Sequence, residues 1–471
     1  MKKLLLNIYI INILINAITL QKILKIPFIA HHTSNLFKNK PDIILNKYMT
    51  ELVIELSIGT PPQKLNISLD LNNNFYSFFL SKNLSHINFT SIYNKSISST
   101  YNCEKKREYF FIEIFFNSAE VFTDNIILNN EDSNIENKFK MLLIDNLHKN
   151  IYTPGIIGLT LKKDNRQIDE YSFLYQLRKL DLIDTEIFYL NFEDEDKGKL
   201  IIGENLFNDE EYLKIKVGYI PQIDSKLLWC FNFDTVYHGN TKLLGVGGSV
   251  LSLDYGLIVG PSDYGEKMNK FFIQENNCFL NYTSIGSLYL KFFWCKEDIN
   301  FNIENKYENL TFELKSINYN FTFTGKDLFF NVGNIKYFKI LFLFEHNQPY
   351  WYLGHIFLQK YKLRFDHEKK LIYIPIKEKN NNVNYDSDII KNDENNDNDV
   401  LNLFNQGEFW IVASLLIVII GLIVFIVIYI KKYPKKKKGY ELDDAEDDYD
   451  YINSKKIKIN ENNIKNETSI N

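Results

Sequence analysis

The sequence predicts a mostly β extracytoplasmic part followed by one membrane-spanning helix. Two observations carry this prediction. Short stretches such as Glu51–Ile58 and Lys64–Leu71 alternate apolar and polar residues, which is the two-residue period of a half-buried strand. Farther along, Phe409–Ile430 is 22 residues long and contains no charged residue, which is enough to cross a hydrocarbon layer of ~30 Å.

Composition is consistent with a large folded domain. The chain has 471 residues, 45% of them hydrophobic, and a formal net charge of -5. Neither this charge nor its distribution indicates nucleic-acid binding, because the one strong basic run lies beside the predicted span. Turn signals separate the short strands, and one segment, Glu170–Leu180, has the spacing of a helix.

Both ends of the chain carry membrane-targeting features. Lys2 and Lys3 precede an apolar stretch, so residues 1–18 are predicted to be a signal peptide, with a buried first strand or helix as the alternative. Lysines follow the span 409–430 directly, which places the tail, residues 431–471, in the cytosol. The chain is therefore predicted to be a single-pass type I membrane protein of the secretory pathway, at the cell surface or in the endolysosomal system.

Three further segments are assigned from composition. Residues 19–47 are a possible pro-segment, since they lie between the signal peptide and the first clear strand. Residues 379–408 are rich in Asn and Asp and are predicted to be a flexible stalk. In the tail, Tyr449–Ile452 fits the loose pattern of a sorting signal, which makes a sorting adaptor a possible partner. The alternative is a solvated tail that no adaptor binds.

The secretory route bears on the cysteines and on the asparagines. In an oxidising compartment the four cysteines are expected to form disulfides, and three pairings are possible. Cys278 with Cys295 is preferred because it closes a short loop, which leaves Cys103 with Cys230; buried thiols are the alternative.

Asn-x-Ser/Thr sequons, which predict glycosylation, occur at Asn66, Asn83, Asn88, Asn94, Asn281, Asn309 and Asn320.

Other chemistries find little support in the sequence. The histidines and cysteines do not have the spacing of metal ligands. The chain contains neither a Gly-x-Ser-x-Gly nucleophile motif nor a Gly-rich phosphate-binding loop. We therefore expect no metal and no cofactor.

Four separated stretches, taken in order, resemble the pepsin-like eukaryotic aspartyl protease family. They contain a Gly-Thr-Pro-Pro-Gln turn before the first catalytic loop, an Ile-Gly-Leu segment, a second catalytic loop after a Trp strand, and a terminal Leu-Gly…Phe-Asp block. The stretches are Leu56–Ser81, Pro154–Leu161, Trp229 with Ser249–Asp263, and Tyr350–Pro375. The resemblance implies a bilobal β fold, with lobes at residues 48–218 and 219–378 and a cleft between them that takes a peptide or protein ligand.

The same resemblance implies a carboxylate pair as the catalytic group. In this family each lobe supplies one aspartate from an Asp-Thr/Ser-Gly-Thr/Ser motif, and the two carboxyl groups share a proton because like charges so close cannot both ionise. One activates a water molecule while the other protonates the substrate carbonyl oxygen. Glycine permits the sharp backbone path, and the hydroxyl groups orient the carboxylates.

Both motifs are degenerate here. The first retains Asp70, but Leu71 provides no hydroxyl and Asn72 replaces glycine. In the second, an ungapped alignment places Ser252 at the catalytic position, and serine does not ionise near neutral pH. Shifting by two residues recovers Asp254 but shortens the loop, so the ungapped alignment is preferred.

Two further positions depart from the family. The flap that closes over substrate is expected within Tyr109–Asp124, which contains no glycine for a tight tip. His355 stands where the family has aspartate, and it is interpreted as a polar residue packed near the lobe junction.

Three functions are therefore weighed. The preferred one is a membrane-anchored, catalytically inactive relative whose cleft binds a peptide or protein, because groups that act as a unit lose their function when one is removed. The second is an active aspartic endopeptidase that uses Asp70 and Asp254. The third is a glycosylated surface protein with a vestigial cleft.

Overall fold

The structure is a computed structural model of the chain. It describes residues 21–32, 43–72, 77–81, 91–112, 115–144, 153–161, 169–206, 211–218, 228–275, 277–285, 288–297, 302–343 and 350–376. These residues are mostly β, as the sequence predicts, and the helices among them are few and short.

The first half of the described chain supplies eleven strands. They are β1 (Leu24–His32), β2 (Thr50–Ile58), β3 (Gln63–Asp70), β4 (Phe78–Leu80), β5 (Asn102–Ile112), β6 (Phe115–Leu128), β7 (Ile135–Ile144), β8 (Gly155–Gly158), β9 (Ile187–Phe192), β10 (Lys197–Ile202) and β11 (Tyr212–Lys216).

The second half supplies fifteen more. They are β12 (Cys230–Phe233), β13 (Thr235–His238), β14 (Thr241–Leu244), β15 (Gly247–Leu251), β16 (Ile258–Gly260), β17 (Cys278–Ile285), β18 (Leu288–Lys296), β19 (Leu310–Leu314), β20 (Tyr319–Phe323), β21 (Phe329–Val332), β22 (Ile335–Phe338), β23 (Ile340–Leu343), β24 (Tyr350–Leu353), β25 (Arg364–Asp366) and β26 (Leu371–Pro375).

Short helices connect these strands. The α-helices of the described residues are α1 (Ile43–Tyr48), α2 (Phe173–Lys179), α3 (Ser262–Gln274), α4 (Ile303–Lys306), α5 (Gly325–Leu328) and α6 (His355–Tyr361). Single 3-10 turns occur at Lys95–Ile97, Asp169–Tyr171 and Lys315–Ile317. The helix predicted over Glu170–Leu180 is therefore divided into a 3-10 turn and α2, with Ser172 between them as the N-cap residue of α2.

The first half is organised around a closed barrel of six strands. Neighbouring strands pair in the order β2, β3, β8, β4, β7 and β6, and β6 returns to pair with β2. Closure leaves this ring without a free edge. Its strands bury apolar side chains, for example Ile54, Leu69 and Phe122. The ring is one part of a sheet of thirteen strands.

The rest of that sheet joins the two halves of the chain. Its strands run β11, β26, β25, β9, β10, β1 and then β2, so β25 and β26 from the end of the described chain lie beside β9 and β11. Strand β1 fills the place between β2 and β10 and buries Leu24, Ile26 and Phe28. The segment predicted to be a possible pro-segment thus supplies an interior strand of this sheet.

The second half forms two further sheets. One has nine strands in the order β12, β15, β24, β16, β23, β18, β22 and β21, with β17 paired to β18. The other has four strands, in the order β14, β13, β19 and β20. Trp351, Phe312 and Phe342 are buried in the same core as residues of the barrel.

Several predictions concern residues outside this description. They are the signal peptide at 1–18, the stalk at 379–408, the span Phe409–Ile430, the tail at 431–471 with Tyr449–Ile452, and the sequons at Asn83 and Asn88. In the part of the chain that the structure describes, no helix has the length and apolar character needed to cross a membrane.

Candidate functional site

Asp70 lies at the end of a buried barrel strand. It is the last residue of β3, opposite Gly158 of the parallel strand β8, and its side chain is buried. Its carboxylate Oδ1 accepts a hydrogen bond of 2.7 Å from the backbone N–H of Asn72. Its carbonyl oxygen accepts another, also of 2.7 Å, from the N–H of Leu159. The loop thus holds Asp70 in a defined position at the end of β3.

Ser252 occupies the corresponding place in the second half. It follows β15, whose last residue Leu251 lies opposite Leu353 of the parallel strand β24, and its N–H donates to the carbonyl of Leu353 at 3.1 Å. The side chain is fully buried. Its Oγ accepts a hydrogen bond of 3.2 Å from the N–H of Asp254, two residues further on.

The pairing of strands makes the two positions equivalent. The order β3, β8, β4, β7 in the barrel is repeated as β15, β24, β16, β23, with the same parallel and antiparallel senses. Within this repeat, Ile157-Gly158 corresponds to Leu353-Gly354, so Asp70 corresponds to Ser252.

The turn geometry gives the same correspondence independently. In each loop a side-chain oxygen, of Asp70 in the first and of Ser252 in the second, accepts from the backbone N–H two residues later. By this criterion Asp254 corresponds to Asn72 and not to Asp70. Strand register and turn geometry both agree with the ungapped alignment.

Leucines occupy the positions directly after Asp70 and Ser252. Leu71 and Leu253 are both buried and apolar, so neither donates the hydroxyl hydrogen bond that the family motif supplies. The side-chain oxygen of Asn72 is buried with no hydrogen-bond partner among the described residues. The replacements therefore fill space beside the loops without orienting a carboxylate.

An aromatic contact holds the second loop, and sequence reasoning missed it. The ring of Tyr48, at the end of α1, stacks on the ring of Tyr255 with centroids 5.0 Å apart. The N–H of Gly256 donates to the carbonyl of Tyr48 at 3.0 Å, and a Cβ at Gly256 would clash with the carbonyl of Lys47. Burial raises the pKa of both phenols, so both rings stay neutral. No pattern in the sequence pairs these two tyrosines, because they lie on separate segments of the chain.

A buried polar network holds Leu159 and Thr160, the two residues after β8 that lie beside the first loop. The indole Nε1 of Trp229 donates to the carbonyl of Leu159 at 2.8 Å. His367 Nε2 lies 3.0 Å from the carbonyl of Thr160, and because a carbonyl only accepts, this nitrogen donates. Its Nδ1 lies 2.6 Å from the carboxylate of Glu186. The segment that follows β8 is thereby fixed to the start of β9 and to the turn after β25.

His355 also has a structural contact. Its side chain is buried, and its Nε2 donates to the carbonyl of Leu253 at 2.8 Å. Its backbone N–H donates to the carbonyl of Tyr255 at 2.9 Å. His355 therefore buttresses the second loop at the start of α6.

The predicted flap falls on a hairpin. Strands β5 and β6 pair antiparallel, with Ile112 opposite Phe115 at the last described pair. At the other end of the hairpin, Asp124 is buried and accepts hydrogen bonds from Tyr93 Oη at 2.6 Å and Thr100 Oγ1 at 2.5 Å. The base of the hairpin is thus fixed by buried hydrogen bonds.

One of the two predicted disulfides is present. Cys278 and Cys295 are bonded across the β17–β18 hairpin. Cys103 and Cys230 are not disulfide-bonded, so that prediction is wrong. The physical reason is that the two cysteines lie on different strands with different neighbours. Cys103 lies on β5 beside Glu120, whereas Cys230 is buried on β12, with its Sγ 3.2 Å from the carbonyl oxygen of Gly218.

Most described sequons are accessible. Asn94 is partly buried, and its side-chain oxygen caps a 3-10 turn by accepting from the N–H of Ser96. The other described sequons have exposed asparagine side chains, namely Asn66, Asn281, Asn309 and Asn320. Exposure is compatible with glycosylation at these four.

The described residues offer little else for ligand chemistry. No group of three His, Cys, Asp or Glu side chains among them is arranged to hold a metal ion. A cavity beside the second loop, lined by Lys47, Gly256 and His355 among others, has a volume of about 30 Å³, which is room for a few water molecules at most. This cavity is not a peptide-binding cleft.

Comparison with known proteins identifies the family. No curated protein matches the chain. The family model of the eukaryotic aspartyl proteases matches residues 51–375. This range includes both loops and runs from the second residue of β2 to the end of β26. The repeat of strand order around Asp70 and Ser252 agrees with that match. The chain therefore belongs to the eukaryotic aspartyl protease family.

Proposed function

We propose that this chain is a membrane-anchored member of the family that has lost peptide-bond hydrolysis and retains a cleft that binds a peptide or a protein. The membrane anchor rests on the apolar run Phe409–Ile430 and the lysines after it. The binding role rests on family membership together with the degenerate loops.

The observation that carries the proposal is the register of β15 against β24. Leu251 lies opposite Leu353 as Leu69 lies opposite Ile157, and this register supports Ser252 as the counterpart of Asp70. A serine hydroxyl does not ionise near neutral pH, so this position supplies no second carboxyl group to share a proton. Water activation by one carboxylate and protonation of the carbonyl by the other then have no pair of groups to perform them.

Asp254 is the basis of the alternative, an active endopeptidase. It is the one acidic residue of the second loop, Ser252–Gly256, and it is only partly buried. Burial raises the pKa of Tyr255 and Tyr352, and the charge of Asp254 raises the pKa of each further, so Asp254 lies close to these phenols. Under the alternative, Asp254 must act as the partner of Asp70 despite its place three residues beyond the end of β15.

A library of diverse peptides tests the binding role. The purified full chain is incubated with the library, the protein is recovered, and retained peptides are identified by mass spectrometry. We expect retained peptides that are intact and share side-chain features at fixed spacing. If no peptide is retained by protein shown to be folded, the cleft is vestigial and the binding role is refuted. If the retained peptides are fragments of library members, the loss of hydrolysis is refuted.

A further inference from the structure

An exposed aromatic side chain accompanies one sequon. Phe279 lies on β17 and is 45% exposed, although several side chains of the partner strand β18 are buried. Its ring stacks on Trp294 of β18, with centroids 4.5 Å apart. Asn281 follows two residues later and Thr283 two residues after that. The stretch Phe279 to Thr283 therefore has the pattern aromatic-x-Asn-x-Thr.

The strand places these three side chains on one face. Successive residues of a strand point to opposite faces, so Phe279, Asn281 and Thr283 share a face. The register supports this, because their partners on β18 are themselves two residues apart. The spacing along a strand between residues i and i+2 is roughly 6.5–7 Å, so the first sugar attached to Asn281 lies within reach of the ring of Phe279.

We propose that Asn281 carries an N-linked glycan and that its first N-acetylglucosamine packs against the ring of Phe279. The oxygen of the Asn281 side chain accepts from the N–H of Tyr282 at 2.9 Å. The amide nitrogen Nδ2 makes no hydrogen bond to any described residue, so attachment there breaks none. The apolar face of a sugar ring over an aromatic ring removes apolar surface from water on both sides.

The attachment reaction needs a donor, which is an oligosaccharide carried on a lipid diphosphate. The Asn281 Nδ2 forms a bond to the anomeric carbon of the first sugar, and the bond from that carbon to the diphosphate breaks. The lipid diphosphate leaves with the electron pair, and the amide nitrogen gives up one proton. No oxidant or reductant is involved.

A second sequon serves as an internal comparison. Asn309 is also preceded two residues earlier by an aromatic residue, Tyr307, and followed by Thr311. Tyr307 is only 4% exposed, and its hydroxyl lies 3.2 Å from that of Tyr264 in the core. A glycan on Asn309 therefore has no aromatic face to contact at that position. The remaining sequons have no Phe, Tyr or Trp two positions earlier.

The experiment uses the full chain produced in a eukaryotic secretory pathway. Glycopeptide mass spectrometry gives the occupancy of Asn281. Hydrogen exchange of the β17–β18 amides is then compared before and after enzymatic removal of the glycan. We expect occupancy, and we expect removal to speed exchange of these amides roughly 2- to 10-fold, in line with the strength of aromatic contacts.

Two variants separate the sugar contact from a general effect of the glycan. Phe279→Ala removes the ring and should abolish the difference in exchange. Tyr289→Ala removes another exposed ring of the same hairpin, and should keep the difference, because Tyr289 pairs with Ser284 on the opposite face. An unmodified Asn281 overturns the proposal, whether or not other sequons are occupied. An equal effect of glycan removal in the wild type and in Phe279→Ala also overturns it.

Discussion

Replacing Ser252 by aspartate tests the assignment of the second catalytic position. The side chain of Ser252 is fully buried, and that of Asp70 is 3% exposed, so an introduced carboxyl group enters a site with little water. If Ser252 corresponds to Asp70, the new group also lies close to the carboxyl of Asp70. Burial and like charge both favour the protonated form and raise the pKa of the new group.

The size of the effect follows from linkage. A carboxyl group whose pKa rises by about 3 units destabilises the folded state by ~4 kcal/mol once it is ionised in the unfolded chain. The penalty is absent below about pH 4, where the group is protonated in both states. It grows as pH rises and is complete above about pH 7, the raised pKa.

Urea unfolding of the full chain between acidic and neutral pH measures this dependence. Ser252→Asn is the matched control, since its side chain has the size of aspartate without the charge. We expect Ser252→Asp to approach the control at acidic pH and to fall ~4 kcal/mol below it at neutral pH. Adding Asp70→Asn should remove part of the difference, namely the part due to like charge. A difference that does not vary with pH would refute the reasoning.

Three further predictions concern the scaffold. Cys278→Ser should destabilise the protein by about 3 kcal/mol because it opens a loop of 17 residues. In denaturant the wild type should titrate two thiols, those of Cys103 and Cys230, whereas a second disulfide between them would leave none. Trp229→Phe should destabilise by ~1–3 kcal/mol in thermal unfolding, since the carbonyl of Leu159 loses a buried donor. Burial raises the pKa of Asp327, but hydrogen bonds with Lys360 and Thr324 outweigh it and lower the pKa overall. Asp327→Asn should therefore lower the free energy of unfolding in urea by about 1 kcal/mol at neutral pH. This loss should fade as the pH falls below about 4 and through the lowered pKa of the folded state, because the wild-type carboxylate then becomes protonated as well.

The sequence predicted the elements whose signal is local. The alternating stretches around Leu52–Leu56 and Leu65–Leu69 form β2 and β3, because half-buried strands show the period of two directly. The ungapped alignment of the second loop depends on a local signal too, the short segment Leu257–Pro261 that directly follows it. The register of β15 against β24 agrees with that alignment, since it places Ser252 directly after the strand end.

What the sequence could not supply depends on long-range placement. The pairing of Cys103 with Cys230 followed by elimination, and it failed because strand β5 and strand β12 have different neighbours. The stack of Tyr48 on Tyr255 joins residues about 200 positions apart, and no local pattern encodes it. No local pattern encodes the contact between Glu186 and His367 either, because it exists only where β9 pairs with β25.

Cleavage of a diverse peptide library by the full chain, from acidic to neutral pH, tests the central claim most directly. Asp70→Ala and Asp254→Ala are measured in parallel. If Ser252 is the counterpart of Asp70, as the register of β15 against β24 supports, we expect no cleavage at any pH by protein shown to be folded. Cleavage by the wild type that disappears in both variants would contradict the account, and would establish Asp70 and Asp254 as a working pair.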